Sequence, residues 1–219
     1  MNHFFSEIDF TNVRGFLLDL DHTLYDYHPC HAFALKKCFE SFFINEIKKN
    51  LSFLEFESQY EKAKISVKHR LSHQAAGHSR FLYFQTMFEN LFGRTDVLQT
   101  IQFEKSYWEH FFSKMVLQEG VMEFLQKCRD KHIKICLVTD LTAALQFQKV
   151  LYLKLEPFID FIVSSEEAGV EKPHGEIFRL ALQKLKLSAS EVVMIGDDEK
   201  KDIAGAQEIG VHGILFQQR

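Results

Sequence analysis

Asp19 and Asp21 follow the apolar stretch Gly15–Leu18 in the run GFLLDLDHTLYDYH. Residues two apart in an extended strand share a face, which puts the two carboxylates about 6–7 Å apart. Two anions at that spacing repel unless a cation or a proton lies between them. The pair therefore points to a metal, a bound proton or a catalytic task. One Asp-x-Asp is expected by chance in a chain of about this length, so the rest of the sequence has to decide.

Three further apolar runs end in polar chemistry. IKICLV leads into Thr139 and Asp140. FIDFIVSS leads into EEAGVEKPHGEIF, which brings Lys172 to a helix start, with Pro173 expected as a first helical residue. EVVMIG leads into Asp197 and Asp198, with Asp202 about one helical turn further on. In open α/β sheets the ligand lies beyond the carboxyl ends of the strands, so these groups would converge. Asp19, Asp197 and a main-chain carbonyl suit a hard divalent cation such as magnesium, which keeps several waters and binds phosphate oxygens. Asp19 can act as a nucleophile and form an aspartyl-phosphate. Asp21 can give a proton to the leaving oxygen and later take one from water. The Thr139 hydroxyl and the N–H groups opening the next helix can hold phosphoryl oxygens, a role compatible with helix capping. Lys172 would offset the charge of the nucleophile and the transferring group.

The elements that must position these residues follow from the apolar rhythm. Short apolar runs alternate with helical patterns in residues 1–26 and 117–219, which predicts parallel β-α-β units with helices on both faces of the sheet. Residues 27–116 break that rhythm and read as about four helices. Their stripes run through Ala32, Leu35, Phe39 and Phe42/Phe43, then Phe53, Phe56, Tyr60, Ala63 and Val67. A third takes Phe81, Phe84, Phe88 and Leu91/Phe92, and a fourth Val97, Ile101, Phe103, Trp108 and Phe111/Phe112. The helical block thus interrupts an α/β domain just after its first strand.

Bulk composition excludes some classes. The chain has 219 residues, 46% of them hydrophobic, and a net charge of −4. That balance is ordinary for a soluble globular protein and argues against a nucleic-acid-coating role. No apolar run reaches membrane-span length, and the amino terminus lacks a secretory pattern. Cys30, Cys38, Cys128 and Cys136 show no C-x-x-C spacing, so free thiols in a reducing cytoplasm are expected.

On these motifs the sequence resembles the haloacid dehalogenase superfamily. DLDHTLYD matches its first motif at Asp19, Asp21 and Thr23, and ICLVTD its second at Thr139. EEAGVEKPHGEIF resembles the third at Lys172, and VVMIGDDEKKDIAGAQEIGV the fourth at Asp197 and Asp202. The resemblance implies a Rossmann-like α/β core carrying the helical block as an inserted cap. It implies Asp19 as nucleophile and magnesium ligand, and Asp21 as acid/base with its carbonyl on the metal. Asp197 would be the third protein ligand, Asp202 would orient a metal-bound water or Lys172, and Thr23 would fix the loop. Two departures stand out: His22 replaces the usual Gly or Asn, and His174-Gly175 replaces Asp-Pro.

The expected activity is a magnesium-dependent phosphatase for a small phosphorylated metabolite. The alternatives are a sugar-phosphate mutase, to which His31 is the pointer, and a non-catalytic binding module. Dehalogenation is disfavoured because Asp21 stands where that branch lacks an acid/base. Substrate recognition would draw on Thr139 and Asp140, and on His31, His78 and Arg80 of the helical block. For His31, His78 and Arg80 a solvated surface position remains the other reading.

Overall fold

A computed structural model describes residues 4–43 and 51–217, and the side chains of Phe42 and Phe43 lie outside the described set. The chain divides into two compact units, Met1–Asp26 with Val116–Arg219, and Tyr27–Met115.

The first unit is built on five parallel strands: β1 (Gly15–Leu18), β2 (Lys134–Thr139), β3 (Phe161–Ser164), β4 (Val192–Gly196) and β5 (His212–Leu215). Their order is β3-β2-β1-β4-β5. The chain winds outward from β1 to β3, then returns to the other side of β1 for β4 and β5. That reversal opens a crevice at the carboxyl end of β1. Leu18 pairs with both Leu137 and Ile195, so β1, β2 and β4 end side by side.

The strand pleat divides the core. Leu17, Cys136, Val138, Val192 and Met194 meet Ile177, Phe178, Ala181 and Leu185 of the helix Gly175–Leu185. Phe16, one residue from Leu17 and so on the opposite face, packs edge-on to Phe124 of the helix Val121–Asp130. Both faces of the sheet are therefore covered, which explains why its central strands are apolar without alternation.

Two local expectations need correction. Pro173 is not a first helical residue. The helix starts at Gly175, with His174 as its N-cap accepting from Glu176 N–H. Asp202, expected about one helical turn beyond the strand end, does not lie on a regular α-helix either. A π-helical stretch, Glu199–Ala204, runs into the short α-helix Gly205–Gln207.

The second unit holds the helices Tyr27–Cys38, Phe53–Arg70, Arg80–Phe92 and Val97–Ser113. Ser52 and Glu55 close a capping box on the second of these, and Gly93 ends the third in a left-handed conformation. Phe56, Tyr60, Ala63 and Val67 share the buried core with Tyr83, Phe84, Met87, Phe88, Phe103, Tyr107 and Phe111. Four expected stripe positions face outward, Phe81 at the start of the third helix among them. On the first helix Cys30, Ala34, Leu35 and Cys38 are buried and Ala32 is exposed. On the fourth, Phe103, Tyr107 and Phe111 set the inward face at i, i+4 and i+8, which turns Val97 and Ile101 to solvent.

All four cysteines are buried. No helix among the described residues is long and apolar enough to cross a membrane.

Candidate active site

Asp19 extends the β1–β4 pairing by one residue, its N–H donating to the Ile195 carbonyl at 2.9 Å. The chain then turns sharply, Leu24 N–H donating to Leu20 O at 3.1 Å. His22 sits inside this turn with φ of 70°. That left-handed conformation is easiest for glycine and tolerable for asparagine. The turn returns Thr23 to the strand end, with its hydroxyl 2.9 Å from Asp19 Oδ2 and 3.3 Å from Asp197 Oδ1.

Lys172 closes the cluster from the β3 side. Its ammonium donates to Asp19 Oδ1 at 2.6 Å, Asp202 Oδ1 at 2.7 Å and the Val138 carbonyl at 3.1 Å. Asp202 Oδ2 accepts from Asp198 N–H at 3.0 Å. Gly205 lets the following helix pack on Pro173, since a Cβ there would lie 2.7 Å from the Pro173 carbonyl oxygen.

Electrostatics follow from this crowding. Burial raises the Asp19 carboxyl well above its ordinary range; Lys172 opposes the shift, and Asp202 and Asp197 add to it. Burial and Asp202 likewise raise Asp197. Burial alone would lower the Lys172 pKa, but Asp19, Asp202 and Asp140 outweigh it and hold the ammonium charged. Asp19, Asp197 and Asp202 each bring a carboxylate oxygen within 4.8 Å of the others. Three carboxylates around one ammonium leave an excess of negative charge that a divalent cation would neutralise. The donor set is all oxygen, which fits magnesium. Asp202 is tied to Lys172 and the Asp198 main chain, whereas Asp19 and Asp197 share the Thr23 hydroxyl.

Asp21 occupies a second, adjoining network. Lys149 donates to its two oxygens at 2.6 and 2.8 Å, Gln146 Nε2 approaches Oδ2 at 3.2 Å, and the Tyr25 hydroxyl donates to Oδ1. Burial would raise the Asp21 carboxyl, yet Lys149, Tyr25 and Gln146 together hold it below its ordinary value. Gln146 Nε2 also lies 2.6 Å from Thr139 Oγ1 and 3.0 Å from the Asp140 carbonyl. Asp140 Oδ1 accepts from Lys172 N–H at 3.0 Å and Oδ2 from Lys201 at 2.8 Å. Against the cost of burial, Lys172 and Lys201 lower its pKa.

Sequence reasoning missed Gln146, Lys149 and Tyr25. The signal was available in part: Gln146 and Lys149 are three apart on one helix, beside buried Val150.

The three remaining candidates lie in the helical unit. Arg80 stacks over Tyr27, Tyr83 and Trp108, donates to the His78 carbonyl at 2.6 Å and bonds the Tyr27 hydroxyl. His31 stacks on Tyr27, and its Nδ1 lies 2.7 Å from the Tyr107 hydroxyl. Burial, reinforced by Arg80, lowers the His31 pKa to about 3. Arg80, His31 and the His78 main chain thus share one aromatic cluster.

A family model for haloacid dehalogenase-like hydrolases matches residues 13–210. The chain belongs to the haloacid dehalogenase-like hydrolase family. Within it, the chain is 34% identical over 200 residues to the ribulose-1,5-bisphosphate 5-phosphatase of Halopiger xanaduensis, covering 91% of this chain and 83% of that one. It is 26% identical over 209 residues to the glyceraldehyde 3-phosphate phosphatase of Pyrococcus abyssi, covering 94% and 82%. The fold also matches the magnesium-bound HAD-hydrolase YfnB of Bacillus subtilis, with a TM-score of 0.69, 23% identity and coverage of 93% and 88%.

Proposed function

We propose that this hydrolase cleaves a phosphate monoester of a small, sugar-like phosphorylated metabolite, through an aspartyl-phosphate on Asp19 and with magnesium as cofactor. The observation that carries the reading is the Asp19 carboxylate itself. It is buried at a strand end and gripped by Lys172 on one oxygen and Thr23 on the other. A carboxylate so fixed is a nucleophile of defined direction. The relatives named as phosphatases of a sugar bisphosphate and a triose phosphate support the substrate class.

In the first half-reaction Asp19 attacks phosphorus, the bond from phosphorus to the leaving oxygen breaks, and Asp21 supplies that oxygen with a proton. In the second, water attacks the phosphoryl group, Asp21 takes its proton and Asp19 is released as carboxylate. The Thr139 hydroxyl accepts from Gln146, which leaves its own proton to donate to a phosphoryl oxygen. Lys172 lowers the repulsion between Asp19 and the incoming phosphate. Asp19, Asp197 and the Asp21 carbonyl would hold magnesium, which would neutralise charge on the transferring group. The mutase alternative leaned on His31, whose ring is engaged by Tyr27 and Tyr107.

The test is phosphate release from a panel of about a hundred phosphorylated metabolites, with and without magnesium, followed by hydroxylamine trapping of the acyl-phosphate. Release from a sugar or triose phosphate with a trappable Asp19 adduct supports the reading. Turnover without an adduct removes the nucleophile.

A further inference from the structure

Helix Ala143–Tyr152 is inverted in polarity. Phe147 and Leu151 are 58% and 69% exposed, whereas Gln146 and Lys149 are fully buried. Burying an ammonium costs several kcal/mol unless it is well paired, so a merely structural helix would put a leucine there. Lys149 instead spans both oxygens of Asp21, whose side chain stays 24% exposed. The pairing is lopsided, with a fully enclosed cation holding a carboxylate that still reaches outward.

The contacts on Asp21 all run one way. Lys149, Gln146 and Tyr25 are donors, so each carboxylate oxygen accepts. The orientation of the Gln146 amide is fixed by its neighbours. Turned over, its oxygen would face the Asp21 carboxylate and the Asp140 carbonyl. As placed, its Oε1 is buried with no hydrogen-bond partner, a cost tolerated for the three acceptors on the other side. One amide thereby ties Asp21 to Thr139.

We propose that Lys149 and Gln146 are positioning residues for the hydrolytic half of the reaction, holding Asp21 as an oriented carboxylate ready to receive the proton of water. The inference rests on the phosphatase reading above. In the step concerned, the water oxygen bonds to phosphorus and the phosphorus–Asp19 oxygen bond breaks. The electron pair returns to the Asp19 carboxylate, and the water proton passes to Asp21. Inorganic phosphate leaves. Formation of the aspartyl-phosphate from an ester with a good leaving group needs no proton from Asp21, so it is insensitive to this pair.

The test is stopped-flow and steady-state kinetics with p-nitrophenyl phosphate and magnesium on wild type, Lys149→Met, Lys149→Arg and Gln146→Leu. For Lys149→Met the expected result is a burst of p-nitrophenolate near one per enzyme. Its kcat should fall roughly 10- to 100-fold, KM should fall in step, and kcat/KM should change less than about fivefold. Arg at 149 should recover most of kcat, and Gln146→Leu should show a smaller burst of the same kind. Equal loss of kcat and kcat/KM without a burst would overturn the inference. If Lys149→Met does not fold, a Gln146→Leu variant lacking any burst overturns it instead. A wild type that forms no hydroxylamine-trappable adduct rejects the phosphatase mechanism itself, and the inference with it.

Discussion

The Asp202 carboxylate lies directly against the α-carbon of Gly196. A β-carbon on Gly196 would overlap Asp202 Cβ, Cγ and Oδ2 at once. The last residue of β4 thus lacks a side chain so that Asp202 can reach back to Lys172. Gly196→Ala should push Asp202 off the ammonium, with an overpacking cost of about 1–3 kcal/mol. Thermal denaturation should register that loss, and kcat should fall at least about tenfold as Lys172 loses its second partner. Wild-type kcat in the alanine variant would show that Asp202 is dispensable.

Asp19→Asn and Lys172→Met should separate chemistry from stability. The first removes the charge of Asp19, which burial pushes upward against Lys172, with Asp202 and Asp197 adding to the push. Its kcat should drop at least about a thousandfold, with a melting temperature in chelator equal to or above wild type. The second leaves Asp19 and Asp202 buried without their shared cation, which should cost about 3–5 kcal/mol. Urea titration of the two variants beside wild type checks both signs.

Chelation should abolish turnover, and magnesium should restore it. Because the cation would relieve repulsion in the folded state alone, magnesium should also raise the melting temperature through its binding energy. Asp197→Asn should weaken that rise far more than Asp140→Asn, since Asp140 is already committed to Lys201 and the Lys172 N–H. An equal effect of the two substitutions would move the cation away from Asp197.

The parallel sheet was legible because each strand is a short apolar run bounded by polar residues, and helices of ordinary length separate them. The site cluster was legible for the same reason: Asp19, Thr139 and Asp197 mark strand ends, and adjacent strand ends in such a sheet face one crevice. Lys149 and Gln146 were not. An apolar pair at i, i+4 is the usual sign of a buried face, and Phe147 and Leu151 form that pair on the exposed side. Periodicity alone would therefore turn this helix the wrong way round. Val97 and Ile101 misled for a related reason, as apolar residues on a face that the aromatic residues further along had already turned outward.

The helical unit should lose stability in mild acid. His31 is neutral when folded, with its pKa held near 3, and would titrate near 6.5 when unfolded. Between those values the unfolded chain binds the extra proton. Stability is therefore fully present above about pH 6.5 and falls by up to about 1.4 kcal/mol per pH unit below it. His31→Gln should remove that slope while keeping a polar group beside Tyr107. Parallel pH dependence of the melting temperature in wild type and variant, measured from pH 7 to pH 4, would assign the acid sensitivity to other groups.

Arg80 is the residue we propose for reading the part of the substrate that is not the phosphoryl group. Its charge is carried by a planar guanidinium fork, whose Nη1 donates to the His78 carbonyl and Nη2 to the Tyr27 hydroxyl. The third donor, Nε, is buried without a hydrogen-bond partner. An unmet charged donor costs about 1–3 kcal/mol or more, and a substrate hydroxyl, carboxylate or second phosphate would satisfy it. The three aromatic rings around the guanidinium fix its plane, so that the unmet N–H keeps one direction. Arg80→Ala should raise KM for the preferred metabolite roughly 10- to 100-fold, the worth of a hydrogen bond to a charged group. For p-nitrophenyl phosphate, which lacks the remote polar group, KM should change less than about threefold. Arg80→Lys should resemble alanine, because a point charge cannot reproduce the stacked fork. Binding lost equally from ground and transition states appears in KM and not in kcat. Equal small changes for both substrates would make Arg80 a structural part of its aromatic cluster and nothing more.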